Sequence, residues 1–266
     1  MAQYWNGDTK PDNRPAAPNA LIFCRLESTH LEDSPVNRLP QASLALILGF
    51  ASVPSASAQA VPDTVPYAAE HHAERLAEFA KEPPAKGRII FLGNSITEFG
   101  DWKTLLGDST VVNRGIAGDI TYGILRRLEE VVRREPSKLF LEAGINDIAK
   151  GVSPTVIARR ISVIVATVRR GSPQRPVYVI SVLPTNDAVK QEYPDVFNKN
   201  DRVEAVNALL RADAARGRYV YVDLHRELRD AKGKLDTRYA ESDGLHLNAE
   251  GYRVWIKLLR SRGYVP

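Results

Sequence analysis

Ser95, Asp243 and His246 are the residues whose types could together perform nucleophilic chemistry. A serine hydroxyl attacks a carbonyl carbon when a neighbouring base removes its proton, and an imidazole ring is a common base. Asp243 precedes His246 by three residues, so one turn can hold the carboxylate against one ring nitrogen and leave the other for Ser95. These three residues therefore predict transfer of an acyl group through a covalent acyl-enzyme.

Acyl transfer also needs hydrogen-bond donors for the negative charge that develops on the carbonyl oxygen. The backbone N–H of Ser95, the backbone N–H of Gly118 and the side-chain amide of Asn146 are the candidates. Gly118 has no Cβ to obstruct the approach of a substrate. The sequence therefore predicts an oxyanion hole formed by Ser95, Gly118 and Asn146.

Each of these residues, taken alone, also has an ordinary structural interpretation. Ser95 and Asn146 could cap helices or turns, and Gly118 could permit a tight turn. Asp243 precedes a glycine in a common turn dipeptide, and His246 could be a packed or surface histidine. Their occurrence together favours the catalytic interpretation.

Four further residues are expected to contact the substrate. Asn94 and Asp147 adjoin two of the candidate catalytic residues, and Pro184 and Thr185 lie in segment 183–201 after a predicted strand. This segment mixes polar and aromatic residues, a composition that suits a small acyl group carried by a sugar or another polar alcohol.

Five short apolar runs alternate with segments of helical periodicity along the chain. The apolar runs lie at 88–93, 111–115, 138–144, 176–184 and 218–224. The helical segments lie at 67–83, 122–132, 157–168, 202–215 and 249–260. This alternation predicts a three-layer α/β sandwich with a mainly parallel five-stranded sheet covered on both faces.

The polar segments adjoin the elements that would position them. Segments 93–97, 113–119 and 144–147 follow the first three predicted strands, and segment 243–248 precedes the last helix. Ligands of open parallel sheets bind beyond the carboxyl ends of the strands. We therefore expect all four segments to meet at that edge of the sheet.

These segments also resemble the conserved blocks of SGNH or GDSL-type esterases, in the order of that family. GNSIT resembles its serine block, NRGIAGD its glycine block, GIND its asparagine block and DGLHLN its Asp-x-x-His block. The resemblance covers roughly residues 87–262. One departure is Asn94, which stands where the family motif has an aspartate before the serine.

The resemblance implies a flavodoxin-like SGNH hydrolase fold and an esterase activity. It implies that Ser95, Gly118, Asn146 and His246 are the four family residues and that Asp243 completes a triad. The expected substrate is a small-molecule ester, above all an O-acetyl group on a carbohydrate or a similar polar alcohol. The α/β-hydrolase alternative lacks its G-x-S-x-G elbow here.

Other functions stay open beside this one. A lysophospholipase-like enzyme or a thioesterase could use the same residues on another substrate. An exported carbohydrate-binding protein could keep the esterase fold without turnover. A series of esters of graded chain length would separate the enzymatic alternatives, and loss of activity on replacing Ser95 would exclude the non-catalytic one.

The composition excludes several other classes of protein. The chain has 266 residues, of which 44% are hydrophobic and 26% charged, as in ordinary globular proteins. The net charge is only +4, and the basic residues do not cluster into the stripe that a nucleic-acid groove needs. A single cysteine, Cys24, allows no disulfide within one chain.

No cofactor or metal is predicted from the sequence. His71, His72 and His225 lack the spacing of a zinc motif and are interpreted as surface or packing residues. The chain has neither a G-x-G-x-x-G turn nor a G-x-x-x-x-G-K-[ST] loop, so a nucleotide site is not expected.

The first sixty residues resemble an N-terminal extension followed by a signal peptide. The apolar run 43–53 is too short to span a membrane, and Ala58-Gln59-Ala60 has the pattern of a cleavage site. We expect cleavage after Ala60, export to the periplasm or the medium, and no stable membrane insertion. A hydrophobic segment of the folded domain is the alternative. The remaining chain divides into a linker and lead-in helix, 61–86, and a hydrolase domain, 87–266.

Overall fold

The computed structural model describes residues 64–65, 68–171, 173–189 and 192–266. All of them belong to one compact unit, Ser57–Pro266. The predicted leader, the cleavage site after Ala60 and Cys24 lie outside the described residues. The domain boundary at residue 87 and the export of the protein stay predictions.

Five parallel strands form the sheet in the order β2-β1-β3-β4-β5, which confirms the predicted α/β class. The strands are β1 (Ile89–Gly93), β2 (Val112–Gly115), β3 (Lys138–Glu142), β4 (Val177–Ile180) and β5 (Val220–Val222). β4 is shorter than its apolar run because the backbone of Val182 bonds to a side chain instead of a neighbouring strand. The Val182 N–H donates to Asn207 Oδ1, and Asn207 Nδ2 donates to the Val182 carbonyl, each at 2.8 Å.

Helices cover both faces of the sheet. The described helices are α1 (Ala69–Lys81), α2 (Ser95–Glu98), α3 (Trp102–Leu106), α4 (Thr121–Arg126), α5 (Leu128–Arg133), α6 (Ile145–Ala149), α7 (Pro154–Gly171), α8 (Asn200–Gly217), α9 (Leu224–Leu228) and α10 (Ala249–Ser261). α7 packs against α4, α5 and α8, whereas α10 packs against α3 and α9. Within the described part of the chain, no helix is long and apolar enough to cross a membrane.

The helical periodicity over 122–132 does not produce one continuous helix, because the chain breaks at Arg127 between α4 and α5. The Arg127 side chain is buried and turns toward the sheet. Its Nε donates to Asp119 Oδ2 at 2.8 Å, and its Nη2 donates to the carbonyls of Gly93 and Arg114. This one side chain therefore ties the ends of β1 and β2 to the loop that holds Asp119.

An aromatic column fixes the sheet against α3 and α10. Phe91, Phe140 and Tyr178 are register neighbours on β1, β3 and β4, and their rings stack at 4.8 and 4.6 Å. Trp102 of α3 stacks on Phe91 at 3.9 Å, and Trp255 of α10 meets Trp102 edge to face. Burial of such large rings makes this the rigid base on which the strand ends rest.

The lead-in segment packs onto the end of β2. Val65 N–H donates to the Gly118 carbonyl at 3.1 Å, and Thr64 pairs with Asp119 in an antiparallel bridge. Farther along α1, Phe79 is buried and the guanidinium group of Arg114 covers its ring. The segment upstream of β1 thus touches the loop that carries the predicted oxyanion glycine.

Candidate active site

Ser95, His246 and Asp243 form a continuous chain of hydrogen bonds at the carboxyl edge of the sheet. His246 Nε2 lies 2.9 Å from Ser95 Oγ, and His246 Nδ1 lies 2.5 Å from Asp243 Oδ2. A carboxylate that accepts from Nδ1–H leaves the lone pair of Nε2 directed at the serine hydroxyl. The structure therefore brings the three predicted residues together in the order that proton transfer requires.

Local backbone chemistry places Ser95 at this edge. Gly93 ends β1, and a Cβ there would lie 2.2 Å from the Glu142 carbonyl, so only glycine fits. Asn94 caps α2 by accepting from the Ile96 N–H at 2.9 Å. Ser95 is the first residue of α2, and its N–H consequently has no acceptor within the helix.

Asp243 is held as an anion by its own turn. Its Oδ1 accepts from the backbone N–H groups of Leu245 and His246 at 2.9 and 3.0 Å. Burial alone raises the pKa of this carboxyl, but its hydrogen bonds to the His246 ring and to these two N–H groups outweigh burial and hold the pKa below its ordinary value. Asp243 is therefore a carboxylate at neutral pH and can stabilise an imidazolium at His246.

Gly118 and Asn146 lie beside Ser95, as predicted for an oxyanion hole. Gly118 has φ +77°, and a Cβ there would lie 2.5 Å from Ala68 Cβ, so a larger residue fits neither the backbone nor the space. Its N–H has no acceptor among the described residues. Asn146 Nδ2 donates to the Asp119 carbonyl at 2.9 Å, which fixes the amide and leaves its second hydrogen for a ligand.

These groups open into a cavity of about 170 Å³. Phe99 and Tyr193 flank the His246 ring, with ring centroids 5.1 and 5.7 Å away. The side chains and backbone that line the cavity belong to Ala68, His71, Ser95, Phe99, Ala117, Gly118, Asn146, Tyr193, Leu245 and His246. The cavity is thus apolar on its walls and polar where the reaction would occur.

The four predicted substrate contacts are in supporting positions instead, and none is among the described residues that line the cavity. Asn94 is fully buried in its capping role, and Asp147 accepts from the N–H and hydroxyl of Thr121. Pro184 and Thr185 are buried as well. The Asn94 side-chain oxygen and the Asp147 carboxylate bond within the protein, so these residues support the site, and their contact with substrate stays a prediction.

His71 is a polar cavity residue that the sequence interpretation did not predict. It was assigned to surface or packing together with His72, which is buried with its ring 3.6 Å from Asp119 Oδ1. The two histidines are adjacent on α1 and face different surroundings. The signal in the sequence was the pair itself, but periodicity alone does not say which face of a lead-in helix meets the site.

A buried carboxyl, Glu142, lies beneath the serine loop. Burial raises its pKa from an ordinary 4.5 to about 8. The Asn94 side-chain amide faces this carboxyl, yet neither Glu142 oxygen has a hydrogen-bond partner among the described residues. Glu142 is therefore neutral at pH 7, and an aspartate in place of Asn94 would put a second carboxyl beside it.

Candidate metal ligands do not cluster in the part of the chain that the structure describes. It holds no group of three or more His, Cys, Asp or Glu side chains placed to bind an ion. His225 is buried, and burial lowers the pKa of its ring.

The parallel sheet and the Ser95 site define the class of protein, a hydrolase of ester bonds with an α/β fold. Residues 91–254 match the GDSL-like Lipase/Acylhydrolase family, and the chain belongs to that family.

Individual relatives agree with this assignment. Platelet-activating factor acetylhydrolase IB subunit alpha1 of Bos taurus is 28% identical over 188 residues, covering 68% of this chain and 75% of the relative. A GDSL-like lipase structure from Bacteroides thetaiotaomicron has a TM-score of 0.61 at 23% identity, covering 72% of this chain and 96% of that one. An acetylxylan esterase from Geobacillus stearothermophilus shares the fold, with a TM-score of 0.54 at 16% identity over 68% of this chain and 97% of that one.

Proposed function

We propose that the protein is a serine esterase that hydrolyses short-chain carboxylic esters, above all acetyl esters of a carbohydrate or a similar polar alcohol. The observation that carries this proposal is the Ser95–His246–Asp243 chain opening into a cavity of about 170 Å³. This small volume favours an acetyl or other short acyl group over a long acyl chain.

The geometry supports a two-step reaction. His246 Nε2 takes the Ser95 hydroxyl proton while Oγ attacks the carbonyl carbon, and the same ring then gives that proton to the departing alcohol. A water molecule, deprotonated by His246, next attacks the acyl-enzyme and releases the acid and Ser95. Asp243 holds the ring tautomer in both steps and stabilises the imidazolium between them.

Three donors face the position of the developing oxyanion in this proposal. They are the N–H groups of Ser95 and Gly118 and the amide of Asn146. Donors fixed before the reaction stabilise the transition state without the cost of reorganising during it. The buried contacts of Gly118 and Asn146 provide that rigidity.

The relatives supply independent support for a small acyl group. The bovine relative is named an acetylhydrolase, which describes the acyl group that this cavity would admit. A second cavity of about 560 Å³ shares Phe99, Tyr193 and His246 with the first and also reaches Tyr252 and Arg253. This larger space could hold the bulkier part of a larger ester, and it is the feature that favours a lysophospholipase-like or thioesterase alternative.

Two measurements test the proposal. The kcat/KM for p-nitrophenyl esters is expected to fall from acetyl and butyryl to decanoyl, because the small cavity cannot bury added methylenes at about 0.8 kcal/mol each. A steady rise along the series would instead favour a lipid substrate.

Ser95→Ala should abolish hydrolysis and labelling by a fluorophosphonate while the protein stays folded. Turnover that survives this change would refute the serine mechanism, and a wild-type protein without turnover would favour the carbohydrate-binding alternative.

A further inference from the structure

One polar side chain in the small cavity has no part in the proposed reaction. Ser95, Gly118, Asn146 and His246 supply the nucleophile, the oxyanion donors and the base, but His71 also lines this cavity. It comes from α1, upstream of the residues that match the family, 91–254. Its position calls for an explanation beyond the catalytic set.

The His71 ring is held in place by a fixed carboxylate. Its Nε2 lies 2.9 and 3.0 Å from the two oxygens of Glu98. Glu98 also accepts from the Ala117 N–H at 2.5 Å and pairs with Arg75 Nε at 3.1 Å. With two hydrogen-bond donors and one ion-pair partner around it and little exposure, Glu98 is itself immobilised, so the His71 ring has a defined orientation.

The remaining ring nitrogen is available to a bound molecule. A carboxylate that accepts from Nε2–H fixes the tautomer in which Nδ1 carries a lone pair. Nδ1 of His71 has no hydrogen-bond partner among the described residues. A hydroxyl group is the natural complement of this acceptor, whereas an alkyl chain would leave it unpaired.

The location of His71 indicates which part of the ester it meets. Its side chain is 42% exposed, whereas Ser95 is only 7% exposed. His71 is therefore the more solvent-accessible of these two cavity residues. The alcohol departs toward solvent while the acyl group stays on Ser95, so His71 is placed to meet the alcohol.

We propose that His71 is a specificity-determining residue that accepts a hydrogen bond from a hydroxyl of the alcohol portion of the substrate, as in a partly acetylated sugar. This inference rests on the proposed esterase function. It adds the residue by which a polyhydroxylated alcohol is preferred over an apolar one.

Two esters with the same acyl group isolate this contact: p-nitrophenyl acetate and a mono-O-acetylated methyl xyloside. The measured quantity is the ratio of kcat/KM for the xyloside ester to that for p-nitrophenyl acetate. His71→Gln places an amide near the position of Nε2 and removes the Nδ1 acceptor. We expect it to lower the ratio by about three- to tenfold, the effect of one net hydrogen bond.

Two further variants separate recognition from structure. His71→Asn places an amide near the position of Nδ1, and we expect it to restore part of the ratio. Glu74→Gln, at an exposed position on the same helix, should leave the ratio unchanged.

The inference is overturned if His71→Gln lowers both rates equally, since His71 would then act only through Glu98 on the Ala117–Gly118 loop. An unchanged ratio, or a wild-type enzyme that cleaves p-nitrophenyl acetate but not the xyloside ester, overturns it as well. A wild-type protein that cleaves neither ester refutes the esterase function itself, which is a distinct result.

Discussion

Glu142→Gln is expected to stabilise the protein at neutral pH, because the wild-type carboxyl is buried without compensating partners. Its pKa rises from an ordinary 4.5 to about 8 on folding, and burial is the main cause. Glutamine has the same shape and no proton to lose. It can also bond the Asn94 amide that faces Glu142, so the cap on α2 should survive the change.

The magnitude follows from the pKa difference between the two states. Below about pH 4.5 the carboxyl is neutral in both the folded and the unfolded chain, and its stabilising contribution is fully present. As the pH rises toward 8, the unfolded state ionises and gains about 1.4 kcal/mol per pH unit while the folded state does not. The variant should therefore exceed the wild type by about 3 kcal/mol at pH 7, and by somewhat more above pH 8.

Urea unfolding of both proteins from about pH 4 to about pH 9 measures this difference, and equal m-values would confirm that the same transition is compared. The contributions of the other titrating groups to the free energy of unfolding are the same in both proteins and cancel in the difference. Glu227→Gln, at an exposed position, is the control and should change the free energy of unfolding little. A Glu142→Gln gap that stays constant with pH would show that Glu142 ionises as readily in the folded protein as in the unfolded one, and would refute the reasoning.

Three other predictions concern the site, its support and its processing. Asn146→Ala should lower kcat by about 100- to 1,000-fold with little change in KM, since this amide acts on charge that develops only after attack; an unchanged kcat beside a lowered melting temperature would remove it from the oxyanion hole. Arg127→Met leaves the fully buried Asp119 carboxylate without its 2.8 Å partner, and urea titration should show a loss of about 3–5 kcal/mol; a loss below about 1 kcal/mol would contradict this. Exported protein should begin at Val61, and N-terminal sequencing that finds the first sixty residues still attached would exclude the leader.

The sequence predicted the meeting of Ser95 and His246 although 151 residues separate them. The shared carboxyl edge of parallel strands accounts for the position of Ser95, whereas the position of His246 was predicted from its spacing to Asp243 and from the resemblance to the family. The class of the fold could be predicted because five apolar runs separated by helical segments leave few alternatives.

The sequence did not reveal which polar residues form their hydrogen bonds inside the protein. Asn94 and Asp147 have the types of substrate ligands, but one caps α2 and the other bonds Thr121. Arg127 similarly breaks a periodic helix because its guanidinium is needed at the strand ends. The residue type shows which hydrogen bonds a side chain can form, whereas only the fold determines the partner with which it forms them.

The segment of Thr64 and Val65 that contacts the glycine loop is expected to be less stable than the core of the molecule. Among the described residues, one hydrogen bond and one β-bridge join this short buried segment to the loop, whereas the sheet is held by the whole hydrophobic core. Segments with few buried contacts open at lower free energies than the core does. Partial opening at Val65 would remove one support of the Gly118 loop while the sheet stays intact, so activity would fall before circular dichroism detects unfolding. Gentle heating or dilute urea should therefore yield a folded but inactive protein. Loss of activity would then detect damage to the native state before loss of helix content does.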